Sequence, residues 1–357
     1  MPRAVLVSFL LTFSIFVSCS TRHAPGGIDS GLLGAFGPLP EVMASQENAV
    51  TPEKVALGRR LYFDTRLSRD GDISCNTCHP LERYGADGLP VSAGHRGQKG
   101  DRNSPTVYNA AGHFVQFWDG RAKTIEEQAK GPILNPVEMA MESGEAVVEA
   151  LRRDPSYVEA FAKAFPGEAD PLTFDNVANA IGAFERTLTT PSRWDAFLRG
   201  EETALTPEEK AGFLAFTEAG CMTCHRGVYV GGEMYSRLGI VKAWPDKKDP
   251  GRYRVTQHER DRFVFKVPGL RNVTKTAPYL HDGSIVSLEE VVRIMAEYQL
   301  GKTLADEKVA AIVTWLDTLT GELPPEFALP AKRPAELSEQ QQPPAPDSGS
   351  IPAATLR

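Results

Sequence analysis

Cys75-Asn76-Thr77-Cys78-His79 and Cys221-Met222-Thr223-Cys224-His225 carry one pattern, two cysteines two residues apart with a histidine directly after the second. Thiols at that spacing match the vinyl groups on one porphyrin edge, to which they add as thioethers, and the histidine turns back to bind iron from one face. A redox dithiol or half of a zinc site also uses CxxC, yet neither needs the histidine. Zinc pairs stand about 15–20 residues apart, whereas these lie more than a hundred apart. The two motifs therefore predict two covalently bound haem c groups, with His79 and His225 as iron ligands.

The opposite axial ligand decides what such an iron does: a firm one gives electron transfer, a releasable one gives reactivity toward a small molecule. His23, His95, His113, His258 and His281 are the remaining histidines. His23 lies near the N-terminus and His258 among Glu259, Arg260, Asp261 and Arg262, both solvated settings. His95, in Gly94-His95-Arg96-Gly97, is either an ordinary loop histidine or a ligand able to leave, since glycines accept large backbone changes at low steric cost. Met295 continues the apolar stripe of Leu288, Val291 and Val292 and is either core or a thioether ligand.

The elements that must position these residues read as helical. Thr51-Pro52 opens a helix running to Tyr62, by N-cap and N1 proline. Thr124 with Glu127, Thr206 with Glu209 and Ser287 with Glu290 are capping-box pairs. Val177, Ile181, Phe184 and Leu188 form one apolar stripe, and Ile312, Trp315, Leu316 and Leu319 another. No run alternates as a strand would. Residues 80–117 and 226–280, rich in Gly and Pro, read as long loops of functional kind. The fold class expected is all-α: two cytochrome c-like haem domains with long loops, packed against each other.

The expected organisation is a signal peptide over 1–18, a flexible leader over 19–40, an N-terminal haem domain over 41–190, a C-terminal haem domain over 191–323, and a Pro-rich tail over 324–357. Arg3 followed by an apolar run to Val17 reads as a secretory signal, too short for a comfortable membrane span. The run ends in a lipoprotein-like box at Cys19, with Phe16 where Leu is usual, so lipid on Cys19 would tether the chain to a membrane. Four of the five cysteines belong to the haem motifs, which leaves no disulfide framework. Export and CxxCH attachment both point to the periplasm. Composition is that of a soluble globular chain, 41% hydrophobic and 24% charged. A net charge of −7, one unit more negative once Arg3 is lost, disfavours nucleic acid.

Longer segments carry a resemblance. Cys75–His79, Pro90-Val91-Ser92-Ala93-Gly94-His95, Gln98–Val107, Gln116–Ala122, Glu126–Pro132 and Val137-Glu138-Met139, then Leu270–Val273, Thr276–Tyr279 and Met295, resemble the bacterial di-haem cytochrome c peroxidases, from about Glu41 to Leu323. The resemblance implies a peroxidase reducing hydrogen peroxide with electrons from a small cytochrome c or cupredoxin, commonly as a homodimer. On it, His79 is the proximal and His95 the removable ligand of the peroxidatic haem, and His225 with Met295 holds the donor haem. Trp118 is the electron relay between them. Glu138, with Gln128, is the distal-pocket pair that moves a proton between the peroxide oxygens. One calcium is implied between the domains, at the Asn103 side chain and the Thr276 and Pro278 carbonyls.

Two other classes compete. A pure di-haem carrier would keep both irons firmly six-coordinate. A protein-modifying di-haem oxidase of the MauG kind has a tyrosine where the donor-haem methionine stands, and Tyr298 lies close to Met295 in sequence.

Overall fold

The computed structural model describes residues 27–327, so the signal, Cys19, His23 and the tail beyond Phe327 lie outside the described residues. Helices dominate: α1 Ser30–Leu33, α2 Pro52–Tyr62, α3 Cys75–Cys78, α4 Ile125–Leu134, α5 Gly144–Arg152, α6 Pro155–Ala164, α7 Phe174–Glu185, α8 Arg193–Leu198, α9 Pro207–Ala219, α10 Tyr253–Thr256, α11 Leu288–Leu300 and α12 Asp306–Asp317. Their starts follow the sequence. Thr51 caps α2 through Lys54 N, with Pro52 in the first turn. Thr206 and Glu209 make a full capping box on α9. Thr124 and Ser287 cap α4 and α11 through one hydrogen bond each. The expectation of no strands is corrected in one place: β1 Tyr235–Arg237 and β2 Val264–Lys266 pair antiparallel. Three residues each are too few to show alternation.

The same packing device appears in both halves. A Cβ on Gly58 would stand 1.9 Å from the Ala180 carbonyl oxygen, and one on Gly212 would stand 2.1 Å from that of Ala311. The helix leading toward each CxxCH motif, α2 or α9, therefore lies backbone to backbone on a partner, α7 or α12. Larger side chains there would push the helices apart. The stripes read from sequence fill the two cores: Val177 and Ile181 join Leu57, Leu61 and Phe161 in one, and Ile312, Trp315 and Leu316 join Trp194 and Phe213 in the other.

The described part of the expected leader, residues 27–40, does not run free. Ile28 is buried in the second core, Phe36 packs edge-on against Trp194 and Phe213, and Leu39 N donates to Asp195 Oδ1 at 2.7 Å. At the other end Phe327 is buried with Tyr62, Tyr108 and Phe184 of the first half. At the expected boundary between the halves, Thr190 is buried. Thr190 Oγ1 accepts from Asn109 Nδ2 at 2.8 Å and from Asn272 Nδ2 at 2.9 Å, tying residues of both halves to one hydroxyl. No helix among the described residues is long and apolar enough to cross a membrane.

Candidate functional site

The first motif is folded as the single turn α3. Ser74 N donates to Thr77 Oγ1 at 3.0 Å and starts the turn, which sets Cys75 and Cys78 on one side. His79 N donates to Cys75 O at 2.9 Å, and Tyr62 Oη donates to His79 O at 2.7 Å. His79 Nδ1 lies 3.2 Å from the Gly85 carbonyl oxygen, which puts the ring proton there and leaves the Nε2 lone pair for a metal. Burial holds His79 below the usual histidine range, so it is neutral as a ligand must be. All three motif residues border one cavity.

The second motif, a tighter turn over Cys221–Thr223, keeps the same closing hydrogen bond. His225 N donates to Cys221 O at 3.0 Å. Burial pushes His225 down to about 4, with the Val230 and Pro268 backbone acting weakly against it. Its Nδ1 is buried without a hydrogen bond. Cys221, Cys224, His225 and Met295 border a second cavity. Each cavity thus offers two free thiols, one neutral imidazole and apolar walls, the donor set that covalent haem attachment needs. The residues fit the group.

The reactive candidates gather at the first cavity. The α4 face of Ile125, Gln128, Ala129 and Pro132 borders it, and so do Glu138, Arg121 and Trp118. Burial raises the Glu138 carboxyl above the ordinary range, outweighing Arg121 and the hydrogen bond from Asn135 Nδ2 at 2.9 Å. His95 is near but does not border the cavity; Gly94 does. His95 N donates to the Glu138 carbonyl at 2.7 Å, and a Cβ on Gly94 would stand 2.1 Å from Val137 O, so the histidine loop lies clamped on the Glu138 segment. The buried His95 ring faces Asp70, Nδ1 to Oδ2 3.7 Å, without a hydrogen bond there.

The two cavities share a wall containing Asn103, Pro105, Trp118, Lys266 and Pro268. Trp118 Nε1 donates to Asn103 O at 3.0 Å, and Trp118 O accepts from Lys266 N at 2.7 Å. Asn103, Thr276 and Pro278 all border the second cavity. Asn103 Nδ2 donates to Leu89 O at 2.9 Å, which leaves Oδ1 for a cation. Among the described residues no group of three or more His, Cys, Asp or Glu could hold a metal. Tyr298 does not border the second cavity; it packs edge-on against Trp244.

Sequence reasoning missed three wall residues, Arg102, Glu185 and Lys266. Arg102 is locked to Asp119 and Asp249 at 2.6 and 2.7 Å. Glu185, only 4% exposed, is pushed up to about 8 by burial and by Glu126, and its Oε2 has no partner. Nothing in the local sequence marks these residues, because burial beside a cavity depends on elements far apart in the chain.

Residues 52–203 match the family described as di-haem cytochrome c peroxidase. Cytochrome c551 peroxidase of Pseudomonas aeruginosa is 47% identical, over 81% of this chain and 85% of that protein. Cytochrome c551 peroxidase of Nitrosomonas europaea is 45% identical, over 85% and 92%. Among solved structures, a MauG-like protein associated with microbial copper homeostasis superposes with a TM-score of 0.71 at 30% identity, covering 82% of this chain and 97% of that one.

Proposed function

Because the chain belongs to the di-haem cytochrome c peroxidase family, we propose that it reduces hydrogen peroxide to two waters, taking two electrons from a small cytochrome c or cupredoxin. It is a peroxidase, and its cofactors are haem c. The observation that carries the finer reading is the inequality of the two cavities. The first holds Glu138 with its raised carboxyl, Gln128 and Arg121 opposite a neutral His79; the second holds His225 and the soft thioether Met295.

When bound, the haems supply the iron that receives peroxide and the store of reducing equivalents. The chain supplies the rest. His79 and His225 are held neutral by burial. Glu138 takes a proton from the near oxygen of peroxide and returns it to the far one, so that water is the leaving group. Gln128, one face along α4, orients the substrate. Trp118, in the shared wall, is the electron relay. The clamped His95 loop can bring its imidazole to the first pocket or withhold it, which is the proposed gate. Calcium at Asn103, Thr276 and Pro278 would stiffen the wall that carries Trp118.

We read the arrangement as two cytochrome c-like haem domains, 41–190 and 191–323, packed against each other, in a periplasmic chain anchored through lipid on Cys19 and paired as a homodimer. Tyr298 held by Trp244, with Met295 at the pocket, disfavours the MauG-like reading. The test is stopped-flow mixing of half-reduced protein with peroxide and then reduced cytochrome c. Rapid oxidation of the cytochrome supports the enzyme; no spectral response would mean a carrier.

A further inference from the structure

On the two-haem reading above, we propose that Lys266 is the counter-ion of a carboxylate of the N-terminal haem, seated for that task by His113 in the wall between the pockets. Lys266 is 7% exposed. A buried ammonium is costly unless an anion or good hydrogen bonds compensate it. Among the described residues its Nζ has one partner, His113 Nδ1 at 3.2 Å, and no carboxylate within ion-pair distance. The other cations at the pocket walls are already matched: Arg102 with Asp119 and Asp249, Arg121 with Asp119 at 3.1 Å, and Arg271 with Asp195 at 2.8 Å. Lys266 alone brings unmatched positive charge to the pockets.

His113 fixes where that charge points. A Cβ on Gly232 would stand 2.3 Å from the His113 ring and one on Gly269 2.9 Å from it, and Tyr229 packs edge-on, so the ring cannot turn away. Burial, and then Lys266 itself, holds His113 well below the usual range. Neutral, it accepts one ammonium proton at Nδ1 and leaves two for an anion. Lys266 borders both cavities, but His113 borders only the first, so the ammonium end belongs to the N-terminal haem. Thioethers at Cys75 and Cys78 would hold the vinyl groups of that haem, and its carboxylates would need a counter-ion elsewhere on the cavity wall. Burial alone lowers Lys266 to about 8, which keeps it charged at neutral pH, and a carboxylate beside it strengthens that. A cation next to the porphyrin favours the reduced iron, whose charge is one unit lower.

Lys266→Met and Lys266→Arg test this in the mature holoprotein. Haem is counted first: fewer than two haems in the wild type would defeat the two-haem reading rather than this one. Spectropotentiometric titration then follows each haem. In Lys266→Met the N-terminal haem is expected to lose at least tenfold in its reduction equilibrium, a fall of about 59 mV for one electron. The C-terminal haem moves less, and Lys266→Arg restores the wild-type value. An unchanged N-terminal midpoint in Lys266→Met, or a larger fall at the other haem, overturns the proposal. Should the Met variant not take up haem, redox-difference infrared spectra with carboxylate-labelled haem compare wild type with Lys266→Arg. A shifted labelled band supports the pairing, and identical bands overturn it.

Discussion

Replacing Glu138 by Gln isolates the proposed proton-transfer role with little else disturbed. Asn135 Nδ2 donates to Glu138 Oε1 at 2.9 Å, and the amide oxygen of Gln can accept the same bond. Arg121 keeps Asp119 at 3.1 Å, so no cation is orphaned. The carboxyl is raised by burial, and removing a partly buried ionisable group relieves desolvation rather than adding to it. Fold and haem content should therefore persist. Positioned acid–base catalysis contributes about 10²–10⁴-fold, so peroxide turnover should fall by that factor, about 2.7–5.5 kcal/mol in barrier. The pH profile supplies a second signature. Protonated Glu138 cannot accept a proton, so wild-type activity falls as pH drops through a value above the ordinary glutamate range, and the Gln variant lacks that limb. Steady-state oxidation of reduced cytochrome c, with both haem spectra intact, is the assay. A variant within threefold of wild type would remove Glu138 from proton transfer.

His95→Gly removes the proposed gate, and the variant should turn over without prior reduction; dependence equal to wild type would refute the gate. Asp195→Ala leaves Arg271 buried and unpaired, and should cost about 3–5 kcal/mol in denaturant unfolding. Burial works to raise the Asp195 carboxyl but Arg271 and the Leu39 and Ser192 amides outweigh it, so its pKa is lowered. That contribution is present above the unfolded pKa and lost as pH falls through the folded value, so wild type and variant should converge in acid. Glu185 is the opposite case: raised to about 8, its contribution is complete below the unfolded pKa of about 4.5 and lost as pH rises toward 8. Glu185→Gln should flatten that decline in melts at pH 5 and 8, and an unaltered slope would contradict it.

The paired motifs that border the two cavities, the helix starts and the two apolar stripes were legible because each is a local pattern: CxxCH, a cap, an i, i+4 repeat. The roles proposed for Glu138, His95 and Trp118 rest on long ordered segments, since each alone reads as a surface, loop or core residue. Lys266 and Glu185 were not legible at all. Lys266 lies on a three-residue strand and Glu185 ends a helix, and what makes them unusual is burial against Trp118, His113 or Cys75, set by distant parts of the chain. The leader failed for the same reason: Gly and Pro suggested freedom, and the aromatic cage of Trp194 and Phe213 for Phe36 cannot be read from residues 27–40.

The exchange of chain ends has a consequence for how this protein is made. Ile28 and Phe36, among the earliest described residues, complete the core of the second half, and Phe327, the last, completes a cluster of the first. Domains generally fold as units in the order of synthesis. Here the first half emerges with a gap that Phe327 later fills, while Ile28 and Phe36 wait for a core not yet synthesised. A chain ending before Phe327 would leave that cluster open, with Phe184 losing an edge-on aromatic neighbour. A cut at Thr190 would give two fragments, each lacking a part of its own interior.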